Sequence, residues 1–215
     1  MATIPVERME EVRELYYEKK LTASQVAKDM NVSLDAVFYF MRHHKLPRRS
    51  KKEANANRFA HAKLSFDPVG IMSPEKEKLK MMAVMLYWAE GFKNGAHGVD
   101  FANSDPTMIL LFTRFLREIC RVKEEKLRAY LYCHANQSTA ELIEFWSELT
   151  GIPKSQFVKP YVREDFDPRK ANKMKKGLLH VRYYDKKLLA LILGWIGEYS
   201  AELQVSTGGG VVNRT

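Results

Sequence analysis

The chain has 215 residues, 46% of them hydrophobic, enough for one domain of ordinary size or a domain with a small appended module. With 35 Lys and Arg against 26 Asp and Glu, its net charge of +9 favours an anionic partner, either nucleic acid or an acidic membrane surface. Two cysteines, Cys120 and Cys133, exclude a disulfide framework and a paired zinc motif, and both read as core residues in a reducing cytoplasm.

The opening "MATIPVERMEEVREL" lacks the apolar stretch of a signal peptide. No segment reaches the ~18 apolar residues of a membrane span, so a cytoplasmic protein with no membrane partner is expected. "VERMEEVRELYYEKK" places Met9, Val12, Leu15 and Tyr16 on one face of a first helix. Thr22 caps a second, "ASQVAKDM", and Ser33 a third, "LDAVFYFMRHH". Ala27 is small enough for two helices to cross, Asn31 tolerates positive φ in the turn, and Val32, Val37 and Phe40 anchor the third helix. Residues 1–50 thus resemble the helix-turn-helix of resolvases and many bacterial regulators. The resemblance implies that the third helix presents Ser33, Asp35, Tyr39, Arg42 and His43 to a major groove of double-stranded DNA. The segment "RHHKLPRRSKK" adds Arg42, Lys45, Arg48, Arg49, Lys51 and Lys52 with no acid among them. Such a run supplies phosphate contacts, or minor-groove contacts if it extends as an arm, an exit that Leu46-Pro47 favours. A solvated basic segment beside a protein-binding scaffold is the alternative. Residues 51–73 read as a basic linker, with "DPVG" as a turn signal.

Ser73-Pro74-Glu75 starts a long helix that runs to Glu90 and ends at Gly91. "GVDFANSD" alternates as a strand, "SDP" opens the next helix, and "LRAYLYCH" is a second strand. Ser138 with Glu141 forms a capping box for "TAELIEFWSELT", which Gly151 ends. "QFVKPYV" and "GLLHVRYY" read as two strands that pair with each other, and Asp185 opens a last helix. A faint repeat at an offset of thirty residues aligns Phe115, Glu118 and Ile119 with Phe145, Glu148 and Leu149. The expected fold class is α+β: a small all-α module, then helices on one face of an antiparallel sheet over residues 74–200. Residues 201–215, with "STGGGVV", read as a tail.

The order of elements, with "AVMLYWAEG" closing the long helix, resembles the LAGLIDADG domain of homing endonucleases and their regulatory relatives. Ala89, Glu90 and Gly91 stand at that family's final alanine, acid and glycine. The resemblance implies a homodimer in which two such helices lie side by side. Glu90 from each chain would then be the catalytic carboxylate and the Mg²⁺ ligand, the metal polarising phosphate and activating water.

Alternation gives the sheet a second surface. With Leu127, Leu131, Val158, Val162, Leu179 and Val181 facing the helices, the other face shows Arg128, Tyr130, Tyr132, His134, Lys159, Tyr161, Arg163, His180, Arg182 and Tyr184. A basic, aromatic face suits phosphate and groove contacts with DNA. The six histidines show no close ligand spacing, so no zinc site is expected. Three functions stay open: a Mg²⁺-dependent DNA endonuclease, a non-catalytic transcription regulator of the same fold, and a mobile-element accessory protein that binds protein partners.

Overall fold

A computed structural model describes residues 4–94, 98–164 and 174–206, without the side chains of 203–206. The chain divides into two units, 1–63 and 64–215.

The smaller unit begins with a continuous helical stretch: a 3-10 turn Val6–Arg8, helix α1 (Met9–Arg13) and a π-type turn Glu14–Glu18. Helix α2 (Ala23–Asp29) starts at a reciprocal cap. Thr22 Oγ1 accepts the Gln25 backbone N–H at 3.2 Å, and Gln25 Oε1 accepts that of Thr22 at 2.9 Å. Helix α3 (Leu34–His43) starts where Ser33 Oγ accepts the Ala36 N–H at 3.1 Å. Between them Asn31 adopts φ 55°, and the Val32 N–H reaches back to the Ala27 carbonyl at 2.9 Å. Asparagine enters this left-handed region more readily than most residues, so the chain reverses within a few residues. Val12, Leu15, Tyr16, Val26, Ala27, Met30, Val37, Phe40 and Met41 form the buried core.

The stretch expected to be a linker folds over half its length. Helix α4 (Lys51–His61) begins at a capping box of Ser50 and Glu53. None of its residues is buried, so it carries no apolar stripe, and sequence periodicity has nothing to register. Residues 64–69 belong to the second unit. The Asp67 and Val69 N–H groups bond to the Cys120 and Ile119 carbonyls at 3.1 and 2.9 Å, and Phe66 and Val69 are buried.

The larger unit is α+β. Helix α5 (Pro74–Glu90) leads to strand β1 (Val99–Asn103) and helix α6 (Pro106–Glu118), capped by Asp105 Oδ1. Strand β2 (Leu127–His134) and helix α7 (Thr139–Thr150) follow, the helix ending at Gly151 with φ 68°. Strands β3 (Tyr161–Arg163) and β4 (Leu178–Tyr183) precede helix α8 (Lys186–Ser206). Asp185 Oδ1 caps α8 through the Lys187 and Leu188 N–H groups. Helix α8 takes up the start of the expected tail, and 207–215 lie outside the described residues.

The strand order is β1-β4-β2-β3. β4 pairs antiparallel with both β1 and β2, whereas β3 runs parallel to β2, so the sheet is mixed. The expected pairing of 157–163 with 178–184 does not occur, because β2 lies between them. Only 161–163 join the ladder as a strand, and Val162 is 41% exposed rather than facing the helices. Leu127, Ala129, Leu131, Cys133, Leu179 and Val181 are buried with Val84, Tyr87, Phe112, Trp146 and Ile192 of the helices in one core. Both cysteines are free and buried, and burial pushes each thiol's pKa up. Among the described residues no helix is long and apolar enough to cross a membrane.

Candidate nucleic-acid interface

In the smaller unit, α3 turns Val37, Phe40 and Met41 inward and leaves Ser33, Asp35, Tyr39, Arg42 and His43 exposed. Tyr39 and His43, one turn apart, stack at 5.8 Å with 9° between their planes. The basic segment after α3 does not leave as an arm. Lys45 takes φ 53° and the Leu46 N–H bonds to the Met41 carbonyl at 2.8 Å, closing the helix end. The Tyr17 hydroxyl then donates to the Pro47 carbonyl at 2.7 Å. Arg49 donates to the carbonyls of Leu21 and Tyr16, so its guanidinium is committed to the scaffold rather than offered to phosphate. Lys45, Arg48, Lys51 and Lys52 remain exposed, with Arg48 held 4.1 Å over the Phe38 ring. Arg48, Arg49 and Arg58 line a cleft of about 290 Å³ together with Thr22, Ser24, Phe38 and Asn57, and no acid lines it.

In the larger unit, Glu90 is the last residue of α5, exposed, and makes no hydrogen bond or ion pair with the described residues. Gly91 stops the helix in an extended conformation, φ −78° and ψ 150°, rather than a left-handed one. Glycine is needed there for room, since a Cβ would run into the Tyr87 ring. Along the outer face of α5 stand Met81, Met82, Met85 and Trp88, all exposed. Met81, Met85 and Trp88 form an apolar stripe at i, i+4 and i+7, and Glu90, two residues past Trp88, lies on another side of the helix.

The sheet face opposite the helices holds Arg128, Tyr130, Tyr132 and His134 of β2, Tyr161 and Arg163 of β3, and His180 and Arg182 of β4. Lys159 precedes β3 in no strand of its own. Two features set this face apart from a uniformly basic and open one. β1 brings an acid to this face: Asp100 lies opposite Arg182, accepting from its Nε at 2.7 Å and from His180 Nδ1 at 2.8 Å. His180 is buried, 4% exposed, among the rings of Phe92, Tyr130 and Tyr132. Arg182 and Arg128 are cross-strand neighbours, and two like charges there repel. Asp100 neutralises one, while Arg128 Nη1 is drawn to the Glu125 and Leu127 carbonyls at 2.8 and 2.7 Å. Desolvation works to lower the Arg182 pKa, but the charge and hydrogen bond of Asp100, with a hydrogen bond to Tyr184, together outweigh it and raise the value.

Sequence reasoning passed over Asp100 and Phe92. The strand containing Asp100 was legible, but its place beside β4 joins residues eighty apart. Among the described residues no three carboxylates, histidines or cysteines converge as a metal site. Comparisons with family models, curated proteins and solved structures find no match for the chain.

Proposed function

We propose that the chain is a sequence-specific, double-stranded DNA-binding protein in which a helix-turn-helix precedes a LAGLIDADG-like α+β unit, acting as a homodimer. The observation that carries this reading is α3 itself. It follows a tight turn at Asn31, it turns a polar and basic face outward, and exposed Lys45, Arg48, Lys51 and Lys52 flank it. In this reading Arg42 and Tyr39 read base edges, and the flanking cations hold phosphates. The apolar face of α5 supports pairing with a second copy through Met81, Met85 and Trp88.

The residues present fit a divalent ion only as a pair. One exposed Glu90 carboxylate per chain, with no partner of its own among the described residues, supplies hard oxygen donors at the end of the proposed pairing helix. A bound Mg²⁺ would polarise a scissile phosphate. A second reading, a regulator that binds without cutting, is favoured by the bulk of Met85 and Trp88, which holds two α5 helices, and so two Glu90 carboxylates, apart.

Incubation of the protein with a fragmented genomic library and Mg²⁺, reading bound and cut ends together, tests both. Enrichment of a defined site is expected. Cutting within it assigns the nuclease and its recovery intact assigns the regulator, whereas no enrichment overturns DNA recognition.

A further inference from the structure

Four rings form a row along the open face of the sheet. Phe92, just after α5, stacks on His180 of β4 with centroids 5.9 Å apart and planes 27° apart. His180 lies 4.8 Å from Tyr132 of β2, and Tyr132 lies 5.1 Å from Tyr161 of β3. The ends are open, Phe92 at 51% and Tyr161 at 50% exposure, while the middle is sunk. Two large aromatics at the ends of the row thus leave π surface open to a planar ligand.

The polar groups around the row narrow what that is. An ionised carboxylate only accepts, so the 2.8 Å contact to Asp100 favours the tautomer with its proton on His180 Nδ1 over the longer, 3.4 Å approach of Arg182 Nη2 to the same nitrogen. In the neutral ring, Nε2 is then a bare acceptor. It is buried and has no hydrogen-bond partner, which is costly for a polar atom in a dry site and calls for a ligand N–H or O–H. The cation nearest the row, Arg182, is already neutralised by Asp100, so this stretch of the face offers π surface and an acceptor more than net charge.

We infer that the Phe92-His180-Tyr132-Tyr161 row is a stacking platform for unpaired nucleobases, with His180 Nε2 the acceptor for a base N–H. Stacking is sequence-tolerant because every base has a π-face, and it needs bases out of the duplex. The face therefore holds the unpaired bases of a single strand. The inference rests on the nucleic-acid reading only in taking the planar ligand to be a base.

The test uses the full chain with a labelled oligothymidine strand and an abasic strand of equal length, which has the same phosphates and no rings. Wild type should bind oligothymidine about tenfold more tightly than the abasic strand. Phe92→Ala with Tyr161→Ala, both half-exposed positions, should erase that preference while leaving abasic binding unchanged and thermal unfolding cooperative. Tyr161→Trp alone should keep it. Light-induced crosslinks from 5-iododeoxyuridine should map to Phe92, Tyr132 or Tyr161. Equal wild-type affinity for the two strands, or a preference that survives the double substitution, overturns the inference. Failure of duplex binding alone would instead strike the function proposed for α3, so the two failures are separate.

Discussion

Arg49 lies over Tyr16, its guanidinium carbon 4.1 Å from the ring centre, while the Tyr16 hydroxyl accepts the Arg49 backbone N–H at 3.1 Å. The same guanidinium donates to the Tyr16 and Leu21 carbonyls, so one side chain ties the segment after α3 to the end of the first helical stretch. Charged hydrogen bonds to carbonyls contribute more than neutral ones. Arg49→Ala should lower stability by about 2 kcal/mol in urea titrations. Arg48→Ala, which gives up only its place over Phe38, should change stability by less than about 1 kcal/mol and instead flatten the salt dependence of DNA binding by about one phosphate contact. The opposite pattern would reverse the two roles.

Tyr87 supplies a pH test. Its hydroxyl, buried in the core and donating to the Phe92 carbonyl at 2.8 Å, has its pKa pushed up to about 12 because burial disfavours the phenolate. Between pH 10 and about 12 the unfolded chain sheds this proton and the folded chain keeps it, so stability is whole below pH 10 and falls as pH rises. Tyr87→Phe has no proton to shed. It should be less stable than wild type by about 1 kcal/mol at pH 9, from the lost hydrogen bond, and the gap should close and then reverse within that window, because each pH unit there costs wild type about 1.4 kcal/mol. A constant gap would remove Tyr87 from the alkaline transition.

The outer face of α5 makes a prediction about assembly. If Met85 and Trp88 meet their counterparts in a second copy, Met85→Glu should weaken the dimer by about tenfold or more in analytical ultracentrifugation. Helix content should not change, because Met85 is already exposed. A wild-type chain that sediments as a monomer at all concentrations sinks the pairing.

Glu90 can be tested apart from folding. Since its side chain makes no hydrogen bond or ion pair with the described residues, Glu90→Gln should leave thermal unfolding and DNA affinity as they are. Where wild type cuts bound DNA with Mg²⁺, the variant should not, a loss of at least about 100-fold in rate. Retained cutting would move the metal chemistry elsewhere.

What the sequence made legible was local. The caps at Thr22, Ser33, Ser138 and Asp185, the alternation of β2 and the reversal at Asn31 each depend on residues a few positions apart. Strand partners do not: a short run such as 161–163 carries no signal of whether it pairs with β2 or β4, or in which direction. The candidate site divides the same way. The outward face of α3 follows from helical spacing, but the burial of His180 needs Phe92 and Asp100 brought from distant elements, and Arg49's commitment to the scaffold needs the carbonyls of Tyr16 and Leu21.

The insertion of β4 between β1 and β2 has a consequence for the chain as it leaves the ribosome. Among the described residues β1 has only the bridge from Phe101 to Gly91 until Leu179–Tyr183 have been made, since its ladder is with β4. At bacterial or eukaryotic speeds that wait is on the order of 10 s, during which the apolar sides of α5 and α6 are already synthesised and uncovered. The first unit closes on itself long before, from contacts within its own residues. Nascent chains halted before residue 178 should therefore carry a protease-resistant amino-terminal unit ahead of a segment that depends on chaperones.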